Sequence, residues 1–586
     1  MKNKIHSQIY VFITGITICL MFFGLGEKLS FLTTTFGRIF AWTPGDIYDA
    51  SLNNWFLENN LQYILKGGNL LNISKVFEAN LYWPENNTLA MSDNWILLTP
   101  IYALIRTILS PNFAFTGIIV LSLTANVMAC YRLCRHATNK KIYRLIASCL
   151  SGFSLTVLTR LGHAQLMPAF AGVLAMDAFI SSLSINKFKD KLKDIKNSKE
   201  EISISINKIL EGLIWLLLQI GIGFYQGAFF TIATFCLFVV VLLNKLTYKN
   251  IDFRIVRIKF LGLYSKLIFL SKSFLFSFLC FFNYLLYKQY FLYSQTQGGR
   301  SWGEVSSMIP KFWSLWFNTL SNSTNISFPA PVQSVTYPGP FWEHSMFPGY
   351  TFIFLIFLGI WFSLKSKASK DKDPNIKWRV MILSKVALLM LLISIGVGGT
   401  NPVITFWIFI WKFVPGVSAI RAVSRIGIPI VLILSPLIAW TLSELEYRLD
   451  RKSLVITFSF LFMIFLTGNV TKGISRFDST EYSAKRDLIV NKIEKIVKSQ
   501  NCKSFYMTSP DTNNWMYDRV HPQMMAMWAS IKIGIPTSSG YSGNNPNEGW
   551  NHMMSKKQLE EWLVKKGINE SALREVCYIE GNEVLN

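Results

Sequence analysis

Charged side chains are what this sequence has least of. Asp, Glu, Lys and Arg make up only 16% of its 586 residues, while 51% are hydrophobic. That balance excludes an ordinary soluble globular protein. The few charges also cluster between long apolar runs. Ile9–Leu25, Ala228–Leu243 and Leu454–Val470 carry none. With a flanking residue or two, each approaches the roughly 17–20 residues that cross a hydrocarbon core. The class is a polytopic α-helical membrane protein.

Other absences narrow the reading. Cysteines are few. Cys19, Cys130, Cys149, Cys236 and Cys280 lie in or beside apolar spans, Cys134 lies in a basic loop, and none shows metal-ligand spacing. They read as small buried hydrophobes. No recognised nucleic-acid-binding motif accompanies the formal charge of +24. The charge is assigned to cytoplasmic loops, where Lys and Arg set topology, and no nucleic-acid partner is expected. No small-residue cleavage site follows the basic start and Ile9–Leu25, so this segment is an uncleaved first helix. There is no internal repeat and no low-complexity linker.

The basic loops order the rest. Lys2 and Lys4 hold the N-terminus in the cytoplasm, and the first span delivers the chain outside. If both Trp95–Leu109 and Phe113–Tyr131 crossed, the loop with Arg132, Arg135, Lys140, Lys141 and Arg144 would face outward. Reading Trp95–Leu109 as a helix on the outer face returns that loop to the inside. Val403–Val414 is likewise too short to cross and is expected at the outer face. About eleven transmembrane helices result, the ninth of them Val380–Val397, with long outer loops at 26–112 and 292–348. Residues 1–470 form the membrane domain. From Thr471 the composition turns polar, and 471–586 are expected to form a small extracytoplasmic α/β domain. Its expected elements are a helix over Asp487–Ser499, strands over Lys503–Met507 and Val576–Ile579, and a helix over Gln558–Lys566. Cys502 and Cys577 both fall in this oxidising compartment and are candidates for a disulfide.

The chemistry is expected on the outer side. Trp42–Glu58 places Asp46 and Asp49 three residues apart, on one face of a helix that starts near Pro44. A capping role for one Asp and simple solvation of the other would also explain them. Arg160, Arg300, Arg421 and Arg425 are external or at the outer boundary, where cations are otherwise scarce. Arg421 and Arg425 are expected about one helical turn apart. Such arginines suit a phosphate, or the headgroups of ordinary anionic membrane lipids. His163 and Gln165 lie at the outer ends of two spans, and Glu343 and His344 just before another; all four are candidates for substrate contact. A divalent metal is possible, but no ligand motif indicates one.

The layout resembles the membrane glycosyltransferases of the GT-C superfamily. The resemblance rests on the first span, the acidic opening GDIYD of the outer loop, and YWPENNTLAMSDNWILLTPIYAL, which looks like the surface helices preceding the second span. RLGHAQLMP, WEHSMFPG, VPGVSAIRAVSR and GIPTSSGYSG add to it and are similar to stretches of bacterial multi-span proteins of this type. It implies a GT-C-like fold in a bacterial inner membrane. It also implies transfer, with inversion, of a sugar from a polyprenyl-phosphate donor to an extracytoplasmic glycan or lipid. In that superfamily an Asp or Glu of the first outer loop is the general base. Asp46 is matched to it first and Asp49 second. A lipid or glycan transporter, or a non-catalytic assembly protein, are the rival readings. The transporter would favour charges at the bilayer midplane and internal repeats.

Overall fold

The computed structural model describes residues 2–24, 42–44, 47–187, 200–247, 251–256, 263–316, 341–365, 374–398, 403–469, 476–510, 515–546 and 549–585. Helix α1 (Lys2–Gly24) is followed by strand β1 (Trp42–Pro44) and helix α2 (Ile47–Leu65). The short α3 (Thr99–Arg106) leads into α4 (Pro111–Leu133). Here Pro111 occupies the first helical position, where its missing N–H would have no partner anyway. Helices α5 (Lys141–Gly152) and α6 (Phe170–Ser182) come next. A three-stranded sheet of β2 (Leu183–Lys187), β3 (Glu200–Ser205) and β4 (Ile251–Val256) lies around α7 (Ile206–Ile222) and α8 (Phe224–Thr247) in sequence. The remaining membrane-side helices are α9 (Leu263–Gln297), α10 (Tyr350–Lys365), α11 (Pro374–Ser394), α12 (Trp407–Phe413), α13 (Gly427–Ile433), α14 (Ser435–Arg448) and α15 (Arg451–Asn469).

The protein is a helical membrane protein. Six stretches among the described residues are long and apolar enough to cross a bilayer: Pro111–His136, Lys141–Leu158, Ala164–Ser182, Phe224–Asn244, Lys266–Gln295 and Val423–Arg448. Shorter apolar helices cover Ser7–Cys19, Ile96–Arg106 and Tyr350–Lys365. Helices lie over each of the eleven expected segments, and five of those segments fall below that length or apolarity among the described residues. Within the bundle, small residues allow close approach. Gly172 of α6 faces the Phe230 ring of α8 so closely that a Cβ would run into it. Asp177 of α6 and Lys385 of α11 are both partnered. Asp177 pairs with Arg132 (2.8 Å) and Arg135 (3.0 Å), and Lys385 donates to Asn244.

Three local expectations are adjusted. Trp95–Leu109 is not one helix but a 3-10 turn (Ile96–Leu98) followed by α3. Val403–Val414 is helical only over α12, because Ile404 and Thr405 pair instead with Val397 and Gly396. That pairing also ends α11 before Val397.

The C-terminal unit opens with β5 (Arg476–Asp478). Asp478 then caps α16 (Ser479–Ser499), accepting from the Thr480 and Glu481 N–H groups. Strand β6 (Ser504–Thr508) runs parallel to β7 (Val576–Glu580). Between them lie α17 (Trp515–Ile533) and α18 (Lys556–Lys565), the latter started by a capping box of Ser555 and Gln558. Helix α17 had no counterpart in the sequence reading. Its middle, residues 522–530, is buried on all sides, with Met524, Met525, Ala526, Met527 and Ala529 inaccessible, so it shows no amphipathic period. Pro522 within it is also a misleading stop signal.

One hydrophobic core joins this unit to the first outer loop. Leu52, Trp55 and Phe56 of α2 pack with Phe77, Leu81, Tyr82, Met524 and Met527. The Trp55 indole donates to the Met527 carbonyl at 2.7 Å, and the Trp528 indole to Ser51 at 3.1 Å. Strand β1 pairs antiparallel with β5. On its other side α2 meets the membrane bundle: Asn54 donates to Asn112 (2.7 Å), and Glu58 binds the Tyr102 hydroxyl (2.7 Å) and Arg106 (3.0 Å). Helix α2 is thus fixed from both sides.

Cys502 and Cys577 are disulfide-bonded, with Cα atoms 5.7 Å apart and a sequence separation of 75. Closing a loop of that size restricts the unfolded chain. Replacing both residues by Ser is expected to destabilise the C-terminal unit by roughly 2–4 kcal/mol, measured as an earlier thermal transition in detergent.

Candidate functional site

The backbone from Thr159 to Ala169, between two spans, is mostly irregular and would be costly beside hydrocarbon without partners. Three buried amides supply them. Asn126 of α4 donates to the Met167 carbonyl and accepts from the Ala169 N–H. Gln219 donates to the Pro168 carbonyl, and Gln226 to that of Leu166. Asn53 of α2 reaches the same segment, donating to the Gln165 side chain at 3.1 Å. These bonds fix the segment that carries Arg160 and His163.

A second segment, 341–348, lies against it. The Leu155 N–H donates to the Pro348 carbonyl and the Thr156 hydroxyl to that of Met346. Glu343 is thereby placed between two guanidinium groups, Arg160 at 2.6 Å and Arg425 at 2.8 Å. All three side chains are at most 5% exposed. Arg160 also donates to the Glu343 and Ser345 carbonyls and the Ser424 hydroxyl, and Ser424 itself bonds the Glu343 carbonyl.

His163 joins this group to α2. Its Nε2 lies 2.9 Å from Glu343 and its Nδ1 2.9 Å from Asp49. With a carboxylate on each ring nitrogen, both nitrogens donate only when the ring is protonated. Asp49 completes its shell with the Tyr541 hydroxyl, which donates to Oδ1 at 2.8 Å. Asp49 and His163 are 26% and 21% exposed, against 5% for Glu343. The accessible edge of the group is therefore its Asp49–His163 end.

The electrostatics follow. Burial and the Arg425 cation disfavour charge on His163, but the Glu343 carboxylate and the hydrogen bonds to Asp49 and Glu343 outweigh them and raise its pKa above 6.5. Burial pushes the Asp49 carboxyl up, yet His163 and then Tyr541 bring it below 3.8. Glu343 is held well below 4.5, because Arg425, Arg160 and His163 together overcome its burial. Asp93 goes the other way. Burial lifts it to about 6, only partly offset by hydrogen bonds from the Phe224 and Tyr225 N–H groups.

Asp93 thereby fixes the start of α8, and with it Tyr225. The Tyr225 ring lies 5.1 Å from the Arg425 guanidinium, and its hydroxyl accepts from the Arg421 N–H at 3.3 Å. Arg421 and Arg425 do not share an α-helix. Arg421 precedes a 3-10 turn, Val423–Ile426, that contains Arg425, so the two diverge. Arg425 turns inward, while Arg421 is 35% exposed and approaches Glu304 at 3.7 Å. Arg300 pairs with the same carboxylate at 3.1 Å and donates to the Gly543 carbonyl at 2.5 Å. Two arginines share one Glu, leaving this group net cationic.

Of the expected site residues, Asp49, Arg160, His163, Glu343 and Arg425 form one connected cluster, to which Asn53 ties Gln165. Arg300 and Arg421 form a second group around Glu304. His344 is buried next to Glu343 in sequence. Asp46 lies outside the described residues. Among the described residues no group of three or more His, Cys, Asp or Glu is arranged to hold a metal ion. Sequence reasoning had not assigned Tyr541, Tyr225, Glu304 or Ser424 to the site. A signal for Glu304 was its sign, an acid four residues from Arg300; for Tyr541, its place among glycines in SGYSG.

The family model described as "Domain of unknown function (DUF6311)" matches residues 71–465. No curated protein matches the chain. Among solved structures, the apo oligosaccharyltransferase of Archaeoglobus fulgidus aligns with a TM-score of 0.44 and 12% identity, over 91% of this chain and 64% of that one. The chain thus spans less than two thirds of the length of that protein.

Two outcomes are expected. Glu343→Gln leaves two buried guanidinium groups without their anion and should destabilise by about 3–5 kcal/mol, seen as a lower melting temperature. The His163 pKa is raised by folding, so its contribution to stability is complete below pH 6.5 and is lost as pH rises through the folded value. Asp49 and Glu343, lowered by folding, contribute above their ordinary values of 3.8 and 4.5 and lose that contribution in acid. Melting temperature should therefore decline on the alkaline side of pH 6.5, and His163→Asn should flatten that decline.

Proposed function

The chain belongs to the family of the domain of unknown function DUF6311, and we propose that it is a GT-C-like membrane glycosyltransferase acting at the extracytoplasmic surface. Its donor in this reading is a polyprenyl-phosphate-linked sugar and its acceptor a glycan or lipid hydroxyl. Asp49 is the general base, with Asp46, three residues earlier in sequence, as the other candidate. As the acceptor oxygen forms its bond to the anomeric carbon, its proton passes to the carboxylate. The bond from that carbon to the phosphate oxygen breaks on the opposite side. The electron pair leaves with the polyprenyl phosphate, and the configuration inverts. Arg300 and Arg421 are assigned to that phosphate, because fixed cations stabilise departing charge. Arg160 and Arg425 hold Glu343, and through it His163. The partly exposed His163 and Gln165 are assigned to substrate contact.

The observation that carries this reading is one loop touching both halves of the reaction. Tyr541 bonds Asp49, and two residues on, the Gly543 carbonyl bonds Arg300. A base that stays ionised and a pair of arginines sharing one acid are thus tied together at the outer end of the bundle.

The purified protein, assayed against a panel of polyprenyl-phosphate sugars, should transfer one of them. Asp49→Asn should lower the rate by about 10²–10⁴-fold, the usual worth of a positioned base. Arg421→Ala should weaken use of the lipid donor. Unchanged transfer by Asp49→Asn, with Asp46→Asn inactive, would move the base to Asp46; activity in the double variant would end the base assignment.

A further inference from the structure

The C-terminal unit reaches Asp49 through one aromatic side chain, Tyr541. Tyr541 stands in the loop after Ile535–Gly540, and its setting is rigid. The Tyr541 N–H donates to the Met527 sulfur and the Gly540 N–H to the Gln523 side chain. Gly540 lies so close to the Tyr82 ring that a Cβ could not be accommodated. The backbone that carries Tyr541 is therefore held by α17 on one side and by Tyr82 on the other. Its hydroxyl meets Asp49 at Oδ1, while His163 holds Oδ2. A carboxylate oxygen has two lone-pair directions. With a donor on each oxygen, the carboxylate is fixed in rotation.

We propose that Tyr541 is a positioning residue for Asp49. Its phenol O–H orients the carboxylate and favours its ionised form, so that the C-terminal unit sets the state of a group on the first outer helix. This rests on the reading of Asp49 as the base, but the hydrogen bond and its effect exist whether or not a sugar is transferred. The charged form of Asp49 accepts from Tyr541 better than the neutral form does, so losing the donor shifts ionisation towards higher pH.

The test reads Asp49 directly. The full-length protein in detergent is treated with a water-soluble carbodiimide and glycine ethyl ester across a pH series. Coupling at Asp49, which requires the protonated carboxyl, is quantified by peptide mass spectrometry. In Tyr541→Phe the labelling midpoint should rise by about half a unit to one unit. Placing 3-fluorotyrosine at position 541 makes the phenol a stronger donor and should lower the midpoint. A packing role alone would move neither. An unchanged midpoint in both proteins overturns the proposal, and the fluorinated protein decides the matter if the Phe variant does not fold. No donor or acceptor is present, so failure here is distinct from failure of the glycosyltransferase reading, which the lipid-linked sugar panel decides on its own.

Discussion

A carboxylate taken out of water must be given cations, and Glu343 is given two and a histidine. Three separate stretches of chain have to meet for that: the irregular turn with Arg160 and His163, the segment before α10, and the 3-10 turn with Arg425. Isolated, any of these charges would be expensive to bury. Together they offset part of that cost and tie three stretches of chain together. The buried amides of α4, α7 and α8 serve the same end by satisfying backbone that no helix satisfies.

The cluster is graded from inside to outside. Its inner member, Glu343, is saturated and inaccessible. Its more open member, Asp49, meets His163 and Tyr541 and is partly exposed. The arginines divide in the same way. Arg160 and Arg425 are consumed in holding Glu343, whereas Arg300 and Arg421 share Glu304 at the rim. Tyr225, capped by Asp93, lies between the two arginine groups, touching Arg425 with its ring and Arg421 with its hydroxyl.

The helical membrane character was legible because hydropathy is a strong, one-dimensional signal. Helices fall where apolar runs predicted them, and Pro111 and Asp478 start helices by local chemistry that sequence displays. The irregular parts were less legible. Trp95–Leu109 and Val403–Val414 broke into shorter pieces because tertiary hydrogen bonds and strand pairing overrode apolar runs. Helix α17 escaped notice because a helix whose middle is buried on every side has no polar face there to mark its period. At the site, Asp49, His163 and Glu343 were each visible as polar residues close to apolar runs. That His163 would take both carboxylates was not visible, since residues 49, 163 and 343 are joined only by packing. The inward turn of Arg425 away from Arg421 was equally a matter of tertiary structure.

The pairing of β1 with β5 and the hydrogen bond from Tyr541 to Asp49 have a consequence for the order in which the molecule is made. The two partners of that hydrogen bond are 492 positions apart. At the usual pace of translation, roughly 25–100 s separate their emergence from the ribosome. During that interval the face that α2 will present to α17 has no protein to cover it. Every later membrane segment must be inserted before the chain that covers this face arrives. Helix α2, among the first elements to be synthesised, is thus among the last to be completed, and a chain stopped before residue 541 carries Asp49 without its Tyr541 partner.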